Sequence, residues 1–328
     1  MRFFHKIFFF IHLVLLLLVL GTYMNYFVSP KTFPYLNFLS IFFPFLFFIY
    51  VVFTIIWFFL NKKLLWFFSF FILIIIPLIR PWLNFSFNEK ESFLKLMSFN
   101  IKNNLLENKE PKINFLNKSD VDIMMTQEAN VLEISKEKFS NLSIGFPINM
   151  IYSCFKIEQE GKIFDEIGVG EGQFADIAVE GKTIRFINIY LEPFSFTKDM
   201  IKPVENYNEN EKKGKKVLWK MVKTFKVHQE QISEIVDFVK KSPYPVVLSG
   251  DFNAVPNSYE YFQISKVLQD AFLQSGIGFS TSFHDYKFPI RIDYIFVSKE
   301  LQAISYKVYR NIHVSDHYPV IAEIKLAE

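Results

Sequence analysis

Before Glu89 the chain has no acidic residue, and three apolar runs fill most of that stretch. They cover about residues 7–28, 38–60 and 64–80, and the middle one runs 23 residues without a charge. As a helix rising 1.5 Å per residue, that run reaches about 34 Å, more than the ~30 Å hydrocarbon core of a bilayer. The third run is shorter, but Lys63 and Arg80 can extend their charged ends to the headgroups, and Trp66 and Trp82 suit the interfacial belts. No soluble core requires a run such as Ile41 to Leu60. Residues 1–83 are therefore expected to form a membrane segment of three transmembrane helices.

Charge divides the chain at the same place. Residues 1–90 carry 7 Lys and Arg and 1 acid, a net +6, so the +3 of the whole chain leaves −3 for the remainder. Arg2 and Lys6 before the first run resemble the start of a signal peptide. No small-residue cleavage site follows and two more runs do, so the run is expected to be retained. Basic residues at 2, 6, 62 and 63 place the amino terminus and the 61–63 loop in the cytoplasm. Three crossings then deliver residue 80 onward to the outer face. The single Cys154 excludes an intrachain disulfide framework and a thiolate metal cluster, and its apolar surroundings predict a buried, inert thiol.

Residues 84–92 read as a linker, and nine residues span at most about 32 Å, so the domain at 93–328 must work close to the bilayer. From residue 93 the pattern alternates strand and helix. Strands are expected at 94–101, 121–126, 182–191, 246–249, 292–297, 304–309 and 320–326, with helices near Pro111 and over 225–240. The Lys-rich, polar stretch 198–226 reads as a mobile surface loop.

Within this pattern, polar residues recur at strand ends, where a core gives no reason for them. The fullest case is Pro245-Val-Val-Leu-Ser-Gly-Asp251-Phe-Asn253. Residues i and i+2 of a strand point the same way, so Asp251 and Asn253 face one pocket or, as such pairs often do, form a turn that bonds its own backbone. Asn100 ends the first soluble strand, and Gln127-Glu128 the second. Asn188-Ile-Tyr190 ends the third, Arg291-Ile-Asp293 opens a later one, and Ser315-Asp316-His317 precedes the last. Each alone has an ordinary structural reading as a turn, a cap or a surface acid. The ordered set does not.

That set resembles the deoxyribonuclease I-like endonuclease/exonuclease/phosphatase superfamily over about residues 94–326, most specifically at Gly250-Asp251-Phe-Asn253 and Ser315-Asp316-His317. From His228 onward the chain is most similar to its membrane-anchored bacterial branch. The resemblance implies an α/β fold, a four-layer sandwich of two mixed β-sheets packed face to face with helices outside, here preceded by the three transmembrane helices. It implies a Mg²⁺- or Mn²⁺-dependent hydrolase of phosphoric esters, most simply of a phosphodiester, with Glu128 as principal metal ligand and Asn100 and Asp316 in or beside the metal's shell. Asp251 would orient or deprotonate the attacking water, and Asn253 would hold Asp251 and a phosphate oxygen. His317 would contact the scissile phosphate, with Asp293 fixing its tautomer. Asn188, Asn253 and Arg291 are the expected substrate contacts. Tyr190 stands where many members carry His, although the apurinic endonuclease branch has Tyr there; a phenol donates a hydrogen bond but cannot replace an imidazole acid. Residues 141–175 match the family poorly.

The implied protein is a multi-pass protein of the bacterial cytoplasmic membrane, catalytic domain outward. Its substrate is a nucleic acid, a phospholipid headgroup or a small phosphoester, and the sequence names no protein partner. The net −3 of the soluble part lacks the broad basic surface of strong DNA binders. Two other classes compete. An inactive membrane-anchored binding module of the same fold would not need the acids and His317. A transporter would not leave its spans without an acid.

Overall fold

In the computed structural model, residues 2–86, 92–102, 109–129, 134–135, 137–144, 148–164, 167–285 and 289–327 are described. Three apolar helices come first: α1 (Arg2–Gly21), continued by a 3-10 segment at Thr22–Tyr26, then α2 (Leu36–Leu60) and α3 (Lys62–Ile79). All three are long and apolar enough to cross a membrane. Asn61 caps α3, its side chain accepting the backbone N–H of Lys63 and Leu64. The bundle buries Phe43, Tyr50, Trp57, Phe68 and Ile75. It also buries His12, which accepts the indole N–H of Trp57 at 2.9 Å and stacks on Phe68 with ring centroids 3.7 Å apart. The surrounding apolar pattern had hidden this histidine.

The remaining elements are β1 (Leu83–Phe85), β2 (Leu94–Asn100), α4 (Lys109–Lys118), β3 (Ile123–Gln127), β4 (Asn141–Ile144), β5 (Met150–Ser153), β6 (Ile157–Phe164), β7 (Glu171–Val179) and β8 (Lys182–Tyr190). Then come α5 (Lys198–Ile201), α6 (Tyr207–Lys240), β9 (Val246–Asp251), α7 (Tyr259–Ser265), β10 (Gln269–Asp270) and α8 (Ala271–Ser275). The chain ends with β11 (Ile277–Phe279), β12 (Asp293–Val297), β13 (Leu301–Val308) and β14 (Val320–Leu326).

Two six-stranded mixed sheets result, in the orders β13-β14-β2-β3-β5-β4 and β10-β12-β9-β8-β7-β6. Each has one parallel pair, β2 with β3 and β8 with β9, flanked by antiparallel neighbours. Period-two alternation builds the layers. Leu94 and Leu96 of β2 join Phe186, Val247 and Ile295 in the core between the sheets, whereas Met97 and Phe99 pack outward against Leu116 of α4. On the other outer face, Ile187, Ile189 and Leu248 meet Ile232 and Ile235 of α6 and Ile264 of α7. This is the expected four-layer sandwich.

Three local expectations change. Residues 84 and 85, expected in the linker, lie in β1 and pair with β11, while residues 87–91 of that stretch lie outside the described residues. The stretch 198–226, expected as a loop, forms α5 and the first half of α6. Asn206 caps α6, and Glu209–Lys213 and Glu211–Lys215 support its exposed turns. Its high polarity masked a helix whose apolar stripe begins only at Val217. Cys154 follows β5 and is half-buried; burial, then the charge of Asp122, pushes its thiol pKa up, which keeps it protonated and unreactive.

The bundle and the sandwich meet through polar groups. Asn25 and Ser40 donate to the Asn257 carbonyl at 3.2 and 2.7 Å, and Asn257 donates back to Leu78 O at 2.8 Å. Lys31 pairs with Glu230, and Arg80 donates to Leu273 O. The 22–35 loop and the end of α3 therefore face the sandwich. Asn61 and Lys62 lie at the opposite end of the bundle.

Candidate active site

Polar residues gather at the carboxyl edges of the two parallel strand pairs. Asn100 ends β2 and Glu128 follows β3; Tyr190 ends β8 and Asp251 ends β9, with Tyr190 directly opposite Asp251. Because β12 runs antiparallel to β9, its first residue, Asp293, also lies opposite Asp251. Asp316 and His317 precede β14, which is antiparallel to β2. Six strands thus converge on one cavity of about 380 Å³, whose lining includes Glu128, Tyr190, Asp251, Asn253, Asp316 and His317.

Backbone geometry makes this convergence possible. Gly250 has φ +143°, and a Cβ there would lie 1.9 Å from the Ile189 carbonyl oxygen, so only glycine lets β9 approach β8 this closely. Lys102, Glu128 and Asn253 adopt left-handed conformations, with φ of 44°, 49° and 46°. Such backbone costs non-glycine residues of order 1 kcal/mol each and marks places where side-chain placement outweighs local preference.

Asp251 is buried and held from three sides. Its Oδ1 accepts the Asn253 N–H at 2.8 Å, its Oδ2 accepts the Asn100 amide at 2.9 Å, and the Nε2 of His317 stands 3.8 Å from Oδ2. The turn reading and the pocket reading of Asp251-Phe-Asn253 are both realised. The turn's own hydrogen bond aims the carboxylate, while the Asn253 amide donates to Leu191 O at 2.9 Å. Burial, reinforced by the Asp293 charge, raises the Asp251 pKa to about 7 against the opposing pull of His317.

His317 is buried, with Nδ1 2.9 Å from Asp293 Oδ2. Burial alone would lower its pKa, but Asp293 and Asp251 outweigh burial and raise it to about 10. His317 is thus an imidazolium at neutral pH, with Nδ1–H fixed on Asp293 and Nε2–H toward the cavity. The Ser282 hydroxyl accepts the N–H of Ile292 and Asp293, anchoring the start of β12.

Glu128 Oε1 accepts the Asn100 amide at 3.1 Å and the Tyr190 hydroxyl at 3.0 Å. Burial first, then the charges of Glu128 and Asp251, pushes the Tyr190 pKa well above its ordinary value, so the phenol stays a donor. Asn100 turns its nitrogen, not its oxygen, to both carboxylates, because its Oδ1 accepts the Lys102 N–H at 3.0 Å.

Two expected substrate contacts lie elsewhere. Asn188 sits two residues deeper along β8 than Tyr190, donating to Thr126 O and Met150 O and accepting from Gln127. It clamps one sheet to the other. Arg291 is fully buried, paired through both terminal nitrogens with Asp270 at 2.7 Å and lying over the Tyr294 ring. Its charge is consumed by the core, so it is a structural ion pair rather than a substrate contact. Sequence reasoning in turn overlooked Lys102 and Asp285. The Lys102 ammonium contacts Asp316 and lies 3.7 Å from Asp285, both at the cavity wall. Only its position two residues after Asn100 pointed to it.

The donor set suits a hard cation. The ligand atoms of Asp251, Asp293 and His317 lie within 4.8 Å of one another, a possible metal site, but a protonated His317 offers no lone pair and offsets one of the two acid charges itself. Glu128 and Asp316 supply carboxylate oxygens beside Lys102. Burial opposes its charge, but Asp316, Asp285 and Glu128 outweigh burial and raise the Lys102 pKa. A monovalent cation thus already rests among these acids, and such oxygen donors fit Mg²⁺ or Mn²⁺.

A family model described as the endonuclease/exonuclease/phosphatase family matches residues 97–317, and one described as a domain of unknown function (DUF8431) matches residues 5–82. No curated protein sequence matches the chain. Among solved structures, humanized D. rerio TDP2 carrying 14 mutations aligns at a TM-score of 0.51 and 14% identity, covering 71% of this chain and 98% of that one. D. rerio TDP2 complexed with a single-strand DNA product gives 0.50 and 13%, with the same 71% and 98% coverage. A mannosyl-6-phosphatase of Bacteroides thetaiotaomicron gives 0.48 and 17%, covering 71% and 100%. At these identities the likeness is one of fold.

Proposed function

This chain belongs to the endonuclease/exonuclease/phosphatase family, and from that premise we propose that it is a membrane-tethered, divalent-metal-dependent phosphoesterase that hydrolyses a phosphodiester. The observation that carries this reading is the convergence of Glu128, Asp251, Asp316 and the Asp293–His317 pair on one cavity. Residues 1–83 anchor the protein, and residues 93–328 form the catalytic unit. The domain-facing end of the bundle is opposite the 61–63 lysines, so a cytoplasmic 61–63 loop puts the catalytic unit on the outer face.

In the mechanism, Asp251 accepts a proton from the attacking water; its raised pKa suits a base working near neutrality. Asn100 and the Asn253 N–H keep its carboxylate aimed. The water oxygen bonds to phosphorus, the ester P–O bond on the opposite side breaks, the departing oxygen takes a proton from solvent water, and Asp251 afterwards releases its acquired proton to solvent. His317 donates from Nε2 to a phosphoryl oxygen as charge builds there, with Asp293 holding its orientation. Glu128 and Asp316 would hold the Mg²⁺ or Mn²⁺ ion, and Tyr190 orients Glu128. When bound, that ion supplies positive charge for the phosphoryl oxygens.

The test is turnover of bis-p-nitrophenyl phosphate by the full-length protein in detergent, with Mg²⁺, Mn²⁺ or EDTA. Metal-stimulated turnover lost in Asp251→Ala and His317→Ala is expected. Turnover indifferent to EDTA, or equal in Asp251→Ala, would overturn the mechanism. Absence of turnover with tight ligand binding would favour an inactive binding module.

A further inference from the structure

The cavity has two unlike halves. One is the polar floor of Glu128, Asp251 and His317. The other is apolar, walled by Phe194 and Phe196, Ile201 of α5, Met221 and Phe225 of α6, and Ile41 of α2. Ile41 belongs to a helix long and apolar enough to cross a membrane. It lies five residues from the start of that helix, about 7.5 Å along its axis. Asn37, one turn earlier, lines the same cavity. The wall is fixed in place: Phe38 of α2 packs edge-on against Phe225 at 5.4 Å, which in turn meets Phe194 at 5.6 Å. The site thus opens against the helix that enters the bilayer, on the side where α2 begins.

We infer that the substrate is a phosphoester borne by a membrane lipid, its phosphate at the polar floor and its apolar chain along the wall from Phe194 to Ile41. This rests on the phosphoesterase reading and changes no bond in that step. The first half of α6 fits the same surroundings. It exposes Leu218 and Trp219 near Lys212, Lys216 and Lys223, while Lys213 and Lys215 pair with Glu209 and Glu211 and Lys220 donates to Ser195 O. Such a mix of aromatic and basic side chains is of the kind that rests on anionic headgroups. A stacked nucleobase is the less favoured occupant. Phe194 and Phe196 already stack on each other at 5.5 Å, and Ile41, Ile201 and Met221 offer no flat ring.

The test compares hexadecyl p-nitrophenyl phosphate with methyl p-nitrophenyl phosphate, which share the reacting bond and the chromophore. A single-stranded DNA oligonucleotide serves as a third substrate, all with full-length protein in mixed micelles and Mg²⁺. The lipid reading expects kcat/KM for the hexadecyl ester to exceed that for the methyl ester at least tenfold, roughly the effect of burying two methylenes. The hexadecyl-to-methyl ratio should fall about fivefold or more in Ile41→Asn, as expected for lost apolar burial. Met221→Gln, outside the membrane helices, gives the same readout if Ile41→Asn fails to assemble. Equal kcat/KM for the two esters, an unchanged ratio in Met221→Gln, or preferred cleavage of the oligonucleotide would overturn the lipid assignment while leaving the phosphoesterase reading standing. Loss of turnover on all three substrates would overturn both.

Discussion

Asn37, in the first turn of α2, donates its side-chain amide to both carboxylate oxygens of Glu260, at 3.2 and 3.0 Å, across 223 residues of sequence. The same side chain accepts the Tyr259 N–H at 3.0 Å, capping the approach to α7. Glu260 in turn faces His228 Nδ1 at 2.9 Å, and His228 Nε2 faces the Glu192 carbonyl at 2.7 Å, two residues beyond Tyr190. A buried polar chain therefore runs from the apolar helix bundle to the segment just after β8, whose last residue, Tyr190, lines the cavity. The bundle is packed against the sandwich through these contacts, not joined to it by the chain alone.

Removing one link should be felt as stability. Asn37→Leu leaves the fully buried Glu260 carboxylate short of two donors, and an unsatisfied buried group costs about 1–3 kcal/mol. The thermal midpoint of the detergent-solubilised protein should drop by several degrees. An unchanged midpoint would show that the contact between bundle and sandwich contributes nothing.

Asp293→Asn tests the pair behind the imidazole. In the proposed mechanism His317 acts protonated, with a pKa raised to about 10, and Asp251 acts ionised, with a pKa raised to about 7. Activity should therefore hold between those values, fall as pH rises through the upper one and fall as pH drops through the lower one. The variant removes the nearest negative charge, which moves the alkaline limb down toward the ordinary histidine value and lowers kcat at pH 8 by about 10²-fold. A pH–rate profile reads both effects. A lower rate with the limb unmoved would leave Asp293 a packing role only.

How far the sequence disclosed this site depended on depth along each strand. Asp251, Glu128 and Tyr190 were legible because apolar runs ended at them, and Asp293 because one begins after it; strand ends are where a sheet opens to ligands. Asn188 shares the face of Tyr190 but lies two residues, about 7 Å, farther into the sheet, beneath the cavity. The pattern of side-chain direction is the same for both, so sequence could not separate them. Arg291 was misplaced because its partner Asp270 sits on β10, a two-residue strand that leaves no periodic trace. Lys102 and Asp285 come from loops flanking different strands, and only tertiary structure joins them. Three apolar helices were plain from composition, whereas their polar contacts with the sandwich rest on single residues such as Asn25, Asn37 and Asn257.

Lys102→Met should strengthen divalent-ion binding in the absence of substrate. The ammonium occupies Oδ2 of Asp316 and stands by Asp285, where an incoming ion must compete with it. Removing one resident positive charge near carboxylates should lower the Mg²⁺ dissociation constant by about tenfold, a change of ~1.4 kcal/mol. Titration calorimetry of the substrate-free protein measures it directly. Weaker binding in the variant would mean that Lys102 helps to build the ion's site.

Glu171 on β7 gives a pH dependence separate from the site chemistry. Its Oε2 is buried with no hydrogen-bond partner among the described residues, and burial raises its pKa from 4.5 to about 7. Between those two values the folded protein holds a proton that the unfolded chain has released. Stability should therefore be full below about 4.5, decline as pH rises to about 7, and level off above it. Because the group is only half withdrawn from water, the loss is about 1–2 kcal/mol rather than the full value of the shift. Glu171→Gln removes the charge and the dependence. Its thermal midpoint should match the parent at pH 4.5 and exceed it by about 2–4 °C at pH 8. An equal difference at both pH values would mean that the ionisation of Glu171 does not limit stability.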